Sequence, residues 1–364
     1  MKVGILSMQR IYNYGSFLQA YALKTLLEQR GHEVLFVDIE KNAQRDNKKR
    51  TKLQRFIGRV KYIDKYLFRR IQDSKKNEQL NILFKEQQKK YLKLEESNMT
   101  SDGCEAVIIG SDEIFNCSPI SEWGITEQRF GKIPGVPNVL SYAASCGYTG
   151  MDDLDDRNIE IIKDSLACMK GISVRDKNTE SFVKELISKS PEVNLDPVLM
   201  FDFEGEIARG EQEGIPECPY MVVYAYHNRI ESSNEINAIK KYANRHGLKT
   251  IAIGGSLPWC DEFAVITPFQ VLAYFKHAAC VVTDTFHGTV ISAKLNRPVA
   301  VLVRDSNMNK LDDLLKRLHI EQHKVSDVGQ LEQILQFSDN YEECNKIIAT
   351  ECDHTKKYFD VMGL

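Results

Sequence analysis

The 364-residue sequence predicts an α/β fold made of two domains that face one another across a central cleft. Three observations predict it. Short apolar, β-branched runs alternate with helical stretches along most of the chain, the pattern of parallel sheets covered by helices. The length exceeds what one compact core usually holds. Polar residues gather just after the apolar runs, at the carboxyl edge where open parallel sheets bind ligands.

The first apolar run, KVGILS at 2–7, is a strand. A turn-rich loop at 8–16 and a helix at 17–30 follow, the helix ending at Gly31, and 34–39 is the second strand. Only Gly15 stands where a dinucleotide fingerprint needs three glycines, which argues against a dinucleotide cofactor. Asn13, Gly15, Ser16 and Gln19 instead suggest a polar substrate pocket, in competition with a simple turn capped by Ser16.

Residues 42–98 read as a basic helical insert, with Phe56, Val60, Ile63, Leu67 and Ile71 forming a narrow apolar stripe. Residues 41–93 carry 18 Lys and Arg against five Asp and Glu, in a chain of net charge −3. Either the stripe packs on the domain and the lysines form a solvated face, or the insert lies against an anionic membrane surface or acidic polymer. Nucleic acid is not expected as a partner, because no nucleic-acid motif accompanies the charge.

The third strand, AVII at 106–109, delivers Ser111, Asp112 and Asn116, with Asp112 also suited to capping the next turn. A strand at 139–144 runs into Ser145, a helix spans 152–168, and a short strand at 171–174 delivers Arg175. The planar guanidinium of Arg175 matches a carboxylate or phosphate, in competition with a structural ion pair. A helix at 179–188 completes the first domain, residues 1–195 including the insert.

Residues 195–200, LDPVLM, mark the boundary, and 201–219 read as a linker. The second domain, 196–338, then alternates in the same way. Strands are expected at 220–226 and 249–253, with helices at 233–246 and 268–276. Helices at 311–318 and 328–336 follow the unit described next, and a helix within 339–364 is expected to pack back on the first domain.

Residues 279–303, ACVVTDTFHGTVISAKLNRPVAVLV, form one βαβ unit. His287 sits where its first strand hands over to its helix, where unpaired N–H groups favour an anion. Asp284 is placed to orient the imidazole, while Phe286, Gly288 and Thr289 can present backbone and hydroxyl donors. A lone histidine is often merely a surface or core residue, but this placement favours a functional one.

The nine cysteines are scattered, with no C-x-x-C pair and no histidine at ligand spacing. They read as reduced thiols and point to neither a metal site nor a cysteine nucleophile. The opening MKVGILSMQR holds an apolar run too short for a signal peptide, and no stretch reaches the roughly 18 apolar residues of a membrane span. A cytoplasmic location is therefore expected, with peripheral contact at the inner face of the membrane under the second reading of the insert.

NYGSFLQAYAL at 13–23, GSDEIFN at 110–116, SYAAS at 141–145, SVRD at 173–176, LDPVL at 195–199 and TDTFHGTVISAKLNRPV at 283–299 together resemble the polysaccharide pyruvyl transferase family. The resemblance implies a GT-B-like fold of two Rossmann-like domains. It implies transfer of the pyruvyl group of phosphoenolpyruvate onto two hydroxyls of a sugar or lipid-linked oligosaccharide, forming a cyclic ketal and releasing phosphate. His287 would be the general acid/base and Arg175 would hold the donor. Phosphoenolpyruvate is then a substrate, and no further cofactor is implied. The alternatives are a GT-B glycosyltransferase using a nucleotide sugar and a non-catalytic glycan-assembly subunit.

Overall fold

The computed structural model describes residues 1–40, 67–118, 123–227, 229–337 and 341–364. Two all-parallel sheets carry the architecture. In the first half the elements are β1 (Lys2–Leu6), α1 (Tyr14–Gln29), β2 (Glu33–Val37), α2 (Leu67–Gln87), β3 (Ala106–Ile109), β4 (Asn138–Ser141), α3 (Asp156–Leu166), β5 (Ser173–Val174), α4 (Lys177–Ile187) and β6 (Glu192–Val193). The strand order is β2-β1-β3-β4. Parallel bridges Leu140↔Gly171 and Ala144↔Val174 extend it to the β5-β6 pair.

The second half contains α5 (Pro197–Met200), α6 (Glu204–Gln212), β7 (Tyr220–Tyr224), α7 (Ser233–Arg245), β8 (Lys249–Ile253), β9 (Glu262–Phe263), α8 (Pro268–His277), β10 (Cys280–Thr283), α9 (Phe286–Lys294), β11 (Val299–Val301), α10 (Met308–Arg317), α11 (Leu331–Gln336) and α12 (Glu342–Met362). Its strand order is β11-β10-β7-β8-β9. The central strands β1, β3, β7 and β10 are buried along nearly their whole length. Near-continuous apolar runs are what a sheet covered on both faces requires.

Both sheets reverse their strand order once, between β1 and β3 and between β7 and β10. Loops leaving the carboxyl ends at these two points diverge and leave a crevice. The two crevices share one cavity.

The run expected as a linker is not one. Pro197 takes the first position of α5, where its missing N–H costs nothing, and Asp196 caps it by accepting from the Val198 amide at 3.0 Å. Helix α6 occupies Glu204–Gln212 and buries Ile207. Helix α1 begins at Tyr14, earlier than its apolar pattern, because Asn13 and not Ser16 is its cap.

Helix α12 returns to the first half. There Tyr358 Oη donates to the Ser141 carbonyl at 2.8 Å and Arg30 pairs with Asp360. Of the basic insert, 41–66 lie outside the described residues and α2 is helical; the side chains of the stripe from Phe56 to Ile71 lie outside them as well. Among the described residues no helix is long and apolar enough to cross a membrane.

Candidate active site

On the first-half wall, Asn13 ends the loop after β1. Its Oδ1 accepts from the amides of Gly15 and Ser16 at 2.7 and 3.3 Å, while its Nδ2 donates to Tyr226 Oη of the second half at 2.8 Å. One turn into α1, Ser16 Oγ donates to Asp112 Oδ2 at 2.7 Å. Asp112 follows β3 with φ +72°, a left-handed conformation that Asp tolerates better than most residues. Arg175 follows β5 and is buried, its Cζ 4.0 Å from the centroid of the Phe286 ring.

On the second-half wall, Thr285 Oγ1 accepts from the Gly288 amide at 2.9 Å and starts α9 at Phe286. His287 therefore stands in the first turn of the helix, not in a preceding loop. Its imidazole reaches the first half. A Cβ on Gly15 would lie 2.2 Å from His287 Nδ1, so only glycine leaves room for the ring.

Asp196, in the segment that joins the halves, meets both key side chains. Arg175 Nη1 donates to its Oδ2 at 2.7 Å, and His287 Nε2 lies 3.5 Å from the same oxygen. Burial alone would raise this carboxyl, but His287, Arg175 and the Val198 amide hold it well below the ordinary carboxylate range. Burial opposes the charge of Arg175, which Asp196, Asp112 and Asp176 more than restore.

Asp284, expected to orient His287, instead faces Arg229 Nε at 3.1 Å and Arg304 Nε at 3.8 Å, with no exposed side-chain surface. Burial pushes its carboxyl up, and the two arginines pull it partly back. Lys310 pairs with Glu113 across the halves; burial raises the Glu113 carboxyl, but Lys310, Arg175 and Asn116 bring it net below its ordinary value.

His287, Arg175, Asn13, Ser16, Asp112, Asp284 and Phe286 all line one cavity of about 390 Å³. The other expected residues stand behind its wall. Gln19 donates to Ser7 Oγ, Ser111 to the Ala143 carbonyl, Asn116 to Glu113 and Ser145 to Asp176. Gly288 and Thr289 are taken up by the α9 cap, with Thr289 Oγ1 donating to the Thr285 carbonyl. Among the described residues no group of three His, Cys, Asp or Glu side chains could hold a metal ion.

Sequence reasoning missed Asp196, Glu113, Tyr226, Arg229 and Lys310. The proline after Asp196 was the available signal, since an acid before Pro caps a helix as readily as it ends a domain. A larger cavity of about 570 Å³ adjoins through Met8 and Ile11. Its Arg10 is spent on Asp38 and the Glu95 carbonyl, and none of the expected site residues lines it.

A sequence model of the family described as polysaccharide pyruvyl transferase matches residues 13–306. No curated protein matches the chain. Among solved structures, S. aureus MnaA with UDP is similar at 11% identity over 99% of this chain and 96% of that one, with a TM-score of 0.46. The UDP-GlcNAc 2-epimerase from Neisseria meningitidis bound to UDP-GlcNAc is similar at 12% over 96% and 94%, also at 0.46. E. coli ADP-heptose lps heptosyltransferase II is similar at 14% over 96% and 99%, at 0.35.

Proposed function

The chain belongs to the polysaccharide pyruvyl transferase family, and from that premise we propose that it moves the pyruvyl group of phosphoenolpyruvate onto two hydroxyls of a surface-polysaccharide sugar or its lipid-linked precursor. One observation carries the reading: His287 and Arg175, from opposite halves, line a single cavity and meet the same oxygen of the buried Asp196.

The cavity suits a small anion bearing both carboxylate and phosphate. Arg229 and Lys310 reach its wall from the second half, and Arg229 Nη1 donates to the Ser306 hydroxyl at 3.1 Å. Guanidinium, ammonium, hydroxyl and the start of α9 are the donors such a ligand needs. Arg175, clamped by Asp196 and Asp112, is a fixed positive charge in the same wall.

In the proposed reaction the His287 imidazolium gives a proton to C3 of the enol, and C2 becomes electrophilic. The first sugar hydroxyl bonds to C2 and loses its proton to the now neutral imidazole. The C2–O bond to phosphate then breaks, and phosphate leaves with the electron pair. The second hydroxyl bonds to C2, closing the ketal, and its proton passes to Asp112 and on to the departing phosphate. Asp112 suits this step better than Asp284, because its side chain is 12% exposed and that of Asp284 0%.

The reading places the enzyme in the cytoplasm, in capsule or exopolysaccharide assembly. Peripheral membrane contact through 41–93 belongs to it on the strength of that segment's charge alone. The test mixes the protein with an acceptor glycan and either phosphoenolpyruvate or a sugar nucleotide. Phosphate release with phosphoenolpyruvate, abolished by His287→Gln in a protein that still folds, is the expected result. Release of UDP or GDP instead would replace this reading with the glycosyltransferase one.

A further inference from the structure

Helix α10 presents two kinds of surface. Leu311, Leu314 and Leu315 are buried, while Lys310, Asp313 and Arg317, spaced three and four residues apart, share an adjoining face. All three polar side chains reach the first half. Lys310 pairs with Glu113, Asp313 Oδ2 accepts from the Lys177 amide at 3.3 Å, and Arg317 closes on the ends of two strands.

Arg317 Nη1 donates to the Arg175 carbonyl at 3.3 Å and to the Asn194 carbonyl at 3.4 Å, and Nη2 donates to the Val193 carbonyl at 3.3 Å. Arg175 is the first residue after β5, and from Val193, the end of β6, the chain runs on through Asn194 to Asp196. These are the strand ends whose side chains form the Arg175–Asp196 pair at 2.7 Å. The pair is thus gripped through its backbone by one cation from the other half. Glu351 of α12 balances that cation. A planar fork can serve three carbonyls and a carboxylate at once, which a single ammonium cannot. Arg317 lines a separate cavity of about 550 Å³, bordered by the exposed Lys177, Thr350 and His354, and not the catalytic one.

We propose that Arg317 is a positioning residue, which touches no substrate but fixes where Arg175 stands, so that the anionic groups of the donor meet a guanidinium already in place. This rests on the pyruvyl-transfer reading of the catalytic cavity. Arg175 holds the donor both before and during the reaction, so loss of Arg317 falls on donor binding and not on the chemical step.

In the full-length protein, Arg317→Ala raises the KM for phosphoenolpyruvate about tenfold, keeps kcat within about twofold and leaves the KM for acceptor unmoved. Added methylguanidinium enters the separate cavity, replaces the lost fork and restores the donor KM. Arg317→Lys keeps the charge beside Glu351, serves as the second variant should alanine not fold, and raises the donor KM as well. Binding of inorganic phosphate, followed by titration calorimetry, weakens in the same variants and recovers with methylguanidinium in Arg317→Ala. If wild type releases no phosphate from phosphoenolpyruvate while phosphate binding behaves in this way, the transfer reading falls and the positioning role stands. A wild-type donor KM and phosphate affinity in both variants, or a loss that follows the urea midpoint and that methylguanidinium leaves untouched, overturns the positioning role; phosphate release from phosphoenolpyruvate by wild type would then leave the transfer reading standing.

Discussion

Gly15→Ala is the sharpest perturbation the site offers, because local and long-range effects point in opposite directions. Gly15 is the second residue of α1, where alanine would ordinarily favour the helix by roughly 0.5–1 kcal/mol. The added Cβ would lie 2.2 Å from His287 Nδ1 and 2.3 Å from Cγ, while ordinary contact begins at 3.4 Å. The imidazole must therefore retreat by roughly 1 Å, a displacement that costs about a hundredfold in rate when it misaligns a reacting group. Overpacking costs about 1–3 kcal/mol, and the helical gain offsets part of that. The expected protein is folded, at most about 2 kcal/mol less stable, and slower by about a hundredfold in kcat/KM. Phosphate release from phosphoenolpyruvate and a urea melt on the same sample measure both. Wild-type kcat/KM in Gly15→Ala would show that the contact between α1 and α9 does not hold the working position of His287.

Asp196→Asn keeps an acceptor for the Val198 amide but removes the negative charge between His287 and Arg175. It should lower kcat by about a hundredfold or more and cost about 3 kcal/mol of stability, read from turnover and the urea midpoint; an unchanged kcat would contradict the assignment. Asp196 and Glu113 both have carboxyls held below their ordinary range. Their stabilisation is fully present above the unfolded pKa of about 4 and is lost as pH falls through the lower folded values. Melting temperature should therefore drop on acidification below about pH 4, more weakly in Glu113→Gln, and a flat profile there would refute this. Burial pushes the thiols of Cys117 and Cys280 up to about 12, so neutral iodoacetamide should label the exposed Cys168 and Cys218 first, as peptide mass mapping would show. Early labelling of Cys117 or Cys280 would contradict their burial.

The β10–α9–β11 unit was legible because everything that shapes it is local: a β-branched run, a threonine cap and a proline-bounded second strand lie within 279–303. The structure brings His287 and Arg175 to one cavity. The carboxylate that joins them was not legible, since Asp196 meets Arg175 and His287 only through long-range folding, and its local signature was taken for a boundary. The stretch 201–219 hid α6 because its acids and glycines blur the helical period. One of those glycines, Gly210, is there for packing: a Cβ would meet the Phe269 carbonyl at 2.3 Å. Arg229 and Lys310 carried no local signal of a site, and only the juxtaposition of the two sheets brings them to its wall.

Asp196 lies on the segment by which the chain passes from one sheet to the other, so the proton-handling centre sits at the fulcrum of the molecule and not at the tip of a lever. Ties from Asn13 to Tyr226 and from Tyr14 to the Ile266 carbonyl hold the two halves together beside that point. The register of His287 and Arg175 on one carboxylate is thus set where the chain crosses between its sheets, and not by a loop at the cavity's mouth.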